Sequence, residues 1–160
     1  MEYIPGKKVV HKTHGVGTIS GIEITNYGAG LQEYYLLKID STGLVVRFPK
    51  QGGSCVIRNL ANEGEISKVY SILGSPTRNY SSVWNRRKKE FTEKIKSGSL
   101  YDIAEVLRDL SRISFNKELS SGEKEMLEKA KDRIVTEISA AKSSEKRQVE
   151  MELINLIRSN

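Results

Sequence analysis

The chain has 160 residues, 38% of them hydrophobic, with 13 glycines, a single cysteine and a formal net charge of +6. This suits one globular domain or two small ones, and no apolar run approaches the roughly 18–20 residues of a membrane span. The N-terminal stretch has no long apolar secretory core and the lone Cys55 allows no internal disulfide, so a cytoplasmic protein with an acidic or nucleic-acid partner is expected.

Composition changes near residue 60. Nine of the 13 glycines precede it, separated by short β-branched runs at Lys8–His11, Gly17–Ile24, Glu33–Ile39, Leu44–Phe48 and Ser54–Ile57. Five strands at this spacing predict a small antiparallel barrel over residues 1–60. Asp40-Ser41-Thr42-Gly43 reads as a hairpin turn, and Gly15, Gly17 and Gly21 as tight bends. Cys55, between Ser54 and Val56, reads as a small packed side chain.

From residue 61 to 160 the period is helical. Glu65–Leu73 is a short amphipathic helix stopped by Gly74 and Pro76. Ser81 or Ser82 caps the next helix, which ends at Gly98. Ser99 opens a helix with Leu100, Ile103, Leu107 and Leu110 as its apolar stripe. Ser120-Ser121-Gly122-Glu123 is a capping box, followed by Leu127, Ala130, Ile134 and Ile138 at helical spacing. A last helix from about Ser144 buries Val149, Leu153 and Ile157. An all-β half followed by an all-α half gives an α+β protein of two subdomains.

The densest chemistry lies in the second helix. Trp84, the only tryptophan, is followed by Arg86, Arg87, Lys88 and Lys89, and from Arg78 to Lys96 seven basic residues face two acidic ones, or +5 of the chain's +6. A large apolar ring beside dense positive charge can hold phosphates and press on a base step. The same residues also admit a structural reading. Trp84 falls about 20° from both Phe91 and Ile95 on a helical wheel, which makes it a core candidate, with the cations as a solvated face. Arg86 and Lys89 sit about 60° apart and away from that stripe, placed to hold adjacent phosphates.

Elsewhere the signals are structural. His11 and His14 lack the further ligands of a tetrahedral metal site and read as local backbone partners. Gly15-Val16-Gly17 lacks phosphate-loop spacing. No nucleophile elbow is present, so neither a cofactor nor a small-molecule substrate is expected and an enzyme is the weakest reading. Arg47 takes the outward phase if Val46 and Phe48 point inward, and Pro49 confines that strand end to an edge or terminus. Such a cation can bind a partner's carboxylate or assist strand addition, or merely protect the edge.

His11-Lys12-Thr13-His14-Gly15-Val16-Gly17 through Ile22-Glu23, Glu33–Lys38, Leu44-Val45-Val46-Arg47-Phe48-Pro49, Trp84-Asn85-Arg86-Arg87, Ala104–Leu110 and Leu119–Leu127 together resemble the CarD/CdnL family of bacterial transcription regulators. The likeness runs in register over roughly residues 3–140. The first half is also similar to the RNA-polymerase-interacting domain of transcription-repair coupling factors. The resemblance implies a Tudor-like barrel that docks on the β-subunit lobe of RNA polymerase. It also implies a helical domain that meets double-stranded promoter DNA at the upstream edge of the opening bubble.

By that pattern Arg47 matches a polymerase-contacting arginine, Trp84 a wedge in the minor groove, and Arg86, Lys89 and Lys124 basic residues facing DNA, with Arg87 beside them. Thr25 stands where some members carry a second polymerase-contacting arginine, a departure that puts that contact in question. Lys12 replaces a proline often found there, implying a local loop change. The implied protein is a nucleoid-associated monomer that stabilises the open complex. Two other classes stay open: a general nucleic-acid binder that ignores polymerase, and a polymerase-binding module that does not touch DNA.

Overall fold

The computed structural model describes residues 2–52, 56–77 and 84–159, including the backbone but not the side chain of Trp84. Cys55, Arg78, Ser81 and Ser82 lie outside the described residues. The chain forms two compact units, Met1–Leu60 and Ala61–Asn160. Among the described residues, five strands precede five helices, as an α+β protein requires.

The first unit is one antiparallel sheet built from β1 (Lys8–His11), β2 (Gly15–Asn26), β3 (Leu31–Ile39), β4 (Val45–Pro49) and β5 (Ile57–Asn59). The spatial order is β4-β3-β2-β1-β5. Closure is the point of difference from the sequence reading. Among the described residues β4 and β5 remain edges, so the strands make an open sheet where their spacing predicts a barrel. Alternate side chains gather on one face as Val9, Ile19, Tyr35, Leu37, Ile39, Phe48 and Ile57, with Tyr3 packed on them. The Tyr3 amide donates to the buried Tyr35 hydroxyl at 3.1 Å, which satisfies a polar group that burial would otherwise penalise.

The glycines act in different ways. Gly15 has φ +86° at the β1–β2 turn, whereas Gly17 lies inside β2. A Cβ there would come within 2.8 Å of Leu37 Cδ1 and 2.9 Å of the Lys38 carbonyl oxygen. Gly17 therefore serves close strand approach and not a bend. Gly21 follows a register shift between Ile19 and Gly21, the local kink of a β-bulge. The Asp40–Gly43 hairpin forms as expected, with Ile39 and Leu44 bonded across it, and Asp40 accepts from Lys8 Nζ at 2.6 Å and Thr18 Oγ1 at 3.0 Å. His11 Nδ1 accepts from the Thr13 and His14 amides at 3.0 and 3.2 Å, the local backbone role read for it. The ring of His14 lies against that of His11, 4.9 Å between centroids.

The second unit holds α1 (Glu63–Gly74), α2 (Trp84–Lys96), α3 (Leu100–Asn116), α4 (Ser121–Lys142) and α5 (Lys146–Arg158). Their apolar stripes meet in one core, with Val69, Leu73, Phe91, Leu107, Leu110, Ile134, Ile138 and Leu153 at its centre. Ser99 caps α3 by accepting the Asp102 amide, and the Ser120–Glu123 capping box opens α4. Helix α1 begins two residues before its predicted start, because Asn62 accepts the Glu65 amide.

The end of α1 depends on α3. A helix leaves its last carbonyls unpaired, and α1 has no basic residue in its last turn. Arg108 donates to the Ile72 carbonyl and the Ser75 hydroxyl at 3.2 and 2.9 Å. Arg112 donates to the carbonyls of Leu73 and Ser75 at 3.1 and 2.6 Å and to Thr77 Oγ1 at 2.8 Å. Arg108 is also forked onto Asp109, at 2.7 and 3.2 Å, with both side chains buried. Burial, and after it the neighbouring Arg108, lowers the Arg112 pKa from its ordinary value.

Candidate functional site

Arg47 lies on β4, an edge strand, and points away from the core as the alternation predicts: Phe48 is buried while Arg47 is exposed. Register builds its surroundings. Leu36 stands opposite Arg47, Tyr34 opposite both Pro49 and Glu23, and Gln32 opposite Thr25, and directly opposed residues share a sheet face. The Arg47 guanidinium sits 4.6 Å from the Tyr34 ring centroid and 3.4 Å from Glu23 Oε1. Thr25 Oγ1 donates to the same Glu23 oxygen at 3.3 Å. Tyr27 meets Tyr34 edge-on, 6.3 Å between centroids, and contact with Tyr27, ahead of Glu23, raises the Arg47 pKa.

The structure thus brings Arg47 and Thr25 together through Glu23, and adds Tyr27 and Tyr34, which the sequence reading did not single out. The backbone edge is equally informative. Ile39 N–H donates to the Leu44 carbonyl and Lys50 N–H to the Glu33 carbonyl. An antiparallel ladder alternates, so the N–H and C=O of Val45 and Arg47 face away from β3. Pro49 supplies only an acceptor at that edge.

In the helical unit, Phe91 and Ile95 of α2 are buried, while Asn85, Arg86, Lys88, Lys89, Glu93 and Lys96 are exposed. The exposed side chains of α2 thus carry four cations and one acid, or +3. Helix α2 opens at Trp84, whose side chain, and with it both the core and the wedge reading of the indole, lies outside the described residues. Lys94 is turned to α3, 2.6 Å from Glu105. Lys124, near the start of α4, keeps 58% of its side chain exposed and is 3.5 Å from the still more exposed Glu118.

Arg87 differs from its neighbours. Its side chain is 11% exposed and its guanidinium lies 3.2 Å from Oε2 of Glu123, itself 7% exposed. Glu123 Oε1 meanwhile accepts from the Ser120 amide and hydroxyl at 3.2 and 3.0 Å. Burial works against the charged form of Glu123, but the Ser120 bonds and Arg87 outweigh it, and its pKa is lowered. Of the five positions expected to face DNA, Arg86, Lys89 and Lys124 are outward and Arg87 is turned toward α4. The wheel carried a signal for this, since Arg87 is four residues before Phe91 and about 40° from it.

Comparison with known proteins gives matches in both units. Residues 3–61 match the family model described as "CarD-like/TRCF RID domain", and residues 68–154 match "CarD, C-terminal domain". YdeB, a candidate transcription factor of Bacillus subtilis (strain 168), is 29% identical over 145 residues, covering 90% of this chain and 95% of that protein.

Proposed function

Because the chain belongs to the CarD family of transcription regulators, we propose that it holds the RNA polymerase β-subunit lobe with its sheet unit and promoter DNA with its helical unit. The observation that carries this reading is the sidedness of α2: Phe91 and Ile95 are buried while Arg86 and Lys89, about 60° apart on the opposite side, are exposed. Exposed cations at this spacing can bind neighbouring phosphates without disturbing the core. On the sheet unit, Arg47 beside an outward N–H and C=O offers a partner strand both backbone bonds and a charge.

The action is physical, with no bond made or broken. Trp84 leans against a partly unstacked step at the upstream edge of the bubble, where unstacking costs on the order of a few kcal/mol. A ring that binds only opened DNA slows bubble collapse. Each ~1.4 kcal/mol of preference for the open form shifts the open-to-closed ratio about tenfold. Thr25 carries no charge of its own, and its bond to Glu23 gives it an indirect part in placing Arg47.

The test is the open-complex lifetime on one promoter with wild-type protein and with Trp84→Ala, alongside capture by the isolated β lobe. The variant is expected to bind the lobe as wild type does and to lose the lifetime extension. An unchanged lifetime would sink the wedge, and so would collapse of the helical unit on losing the indole, which would make Trp84 a core residue.

A further inference from the structure

We infer that Glu123 is a positioning residue for the DNA-binding surface, and that Arg87 is its partner in a joint between α2 and α4 and not a phosphate ligand. This rests on the proposed DNA contact and goes beyond it by naming what sets its geometry. The carboxylate of Glu123 is shared between two tasks. Oε1 closes the capping box that starts α4, and Oε2 takes the guanidinium of Arg87 from α2 at 3.2 Å. Both side chains are nine-tenths or nearly so withdrawn from solvent, where a charge-assisted bond is directional and little screened.

Each member of the joint is adjacent in sequence to an exposed cation: Arg86 beside Arg87, and Lys124 beside Glu123. Neighbouring residues on a helix diverge by about 100°. When 87 and 123 turn toward one another, 86 and 124 are therefore carried outward on their own helices at a fixed separation. Phosphates along a strand are regularly spaced, so a surface drawn from two helices binds well only if that separation is held. A buried joint between the two helices holds it without competing for DNA.

Charge alone makes the opposite prediction to this geometry, and the two can be told apart. Glu123→Gln removes an anion close to the phosphate-binding face, which by electrostatics alone strengthens binding. Glutamine in this position still serves a capping box, so α4 keeps its start while the charge facing Arg87 from α4 is removed. The joint predicts weaker binding of a fluorescent duplex by the full chain at fixed salt, about tenfold, the scale of one charge-assisted hydrogen bond. Arg87→Gln is expected to weaken binding similarly, and the double variant no further than either single one, because the two residues act as a unit.

Equal or tighter binding by Glu123→Gln would overturn the inference, as would additive losses in the double variant. Should Glu123→Gln melt below the assay temperature, Arg87→Lys carries the test instead. A phosphate ligand tolerates lysine, whereas a joint that needs the guanidinium's reach loses affinity. Lys89→Ala serves as the control that separates the two layers of the argument. If it leaves DNA binding unchanged, the DNA-binding reading itself fails; if it weakens binding while Glu123→Gln does not, only the joint fails.

Discussion

Asp109→Asn is expected to be among the most damaging single changes in the helical unit. The Asp109 side chain is 0% exposed and Arg108 only 4%, with Arg108 Nε 2.7 Å from Oδ1. Asparagine keeps the shape and removes the charge, leaving the guanidinium buried beside Arg112, whose own pKa burial already lowers. Breaking a buried pair by losing one partner costs about 3–5 kcal/mol. At roughly 4–8 °C per kcal/mol for a unit of this size, the melting temperature falls by some 12–40 °C. Circular dichroism at the helix band reads it directly. Glu118→Gln, which breaks the exposed pair with Lys124, is the comparison and costs no more than about 1 kcal/mol. The double change Arg108→Met/Asp109→Leu is expected to cost less than Asp109→Leu and Arg108→Met summed, because the two opposite charges then leave together. The remaining loss is that of the Arg108 bonds to the Ile72 carbonyl and the Ser75 hydroxyl. If Asp109→Asn costs no more than Glu118→Gln, water reaches the pair and the reasoning is wrong.

Three further changes probe other parts of the chain. Arg47→Glu places an acid beside Glu23 on an exposed edge; capture by the β lobe is expected to fall at least about thirtyfold, the hot-spot scale, with the sheet's melting little changed. Glu123 has a lowered pKa in the fold, so its contribution is complete above the ordinary value of 4.5 and is lost as pH falls through the lowered one. The difference in unfolding free energy between wild type and Glu123→Gln should shrink across that window, and a pH-independent difference would contradict the assignment. Gly17→Ala forces a methyl group against Leu37 and the Lys38 carbonyl. Urea unfolding should show a loss of about 1–3 kcal/mol, the usual cost of overpacking.

What could be read in advance was what depends on neighbours along the chain. The capping box at Ser120 and Glu123, the burial of Phe91 and Ile95 on α2 and the hairpin at Asp40–Gly43 are each written within a few residues, and each forms. The Arg108–Asp109 pair was not legible. Both lie among leucines on α3, and the Ile72 carbonyl and Ser75 hydroxyl that accept from Arg108 are more than 30 positions away. The frame around Arg47 was hidden for a related reason. Placing Glu23 and Tyr34 on its face requires the β2–β3–β4 register, and the shift after Ile19 moves every later residue of β2 by one. Sequence alternation gave the phase of β4 but could not supply that offset. An open sheet also differs from a closed one only in whether the first and last strands pair, which no local pattern encodes.

The proposed division of labour has a consequence for specificity. The outward edge of β4 offers the backbone groups of Val45 and Arg47, the Pro49 carbonyl and the side chain of Arg47, a small contact by the standards of stable interfaces. Helix α2 presents Arg86 and Lys89 and α4 adds Lys124, so about three phosphate contacts and a salt slope near −3 are expected. Neither contact alone makes a strong complex at physiological salt. Joined in one chain, the second forms at the high effective concentration set by the first. The protein then need not read a promoter's sequence: DNA presented by polymerase is the DNA that satisfies both units. It follows that free duplexes of different sequence should bind with similar weak affinity and similar slopes, while the effect on open-complex lifetime should vary with how readily each bubble edge unstacks.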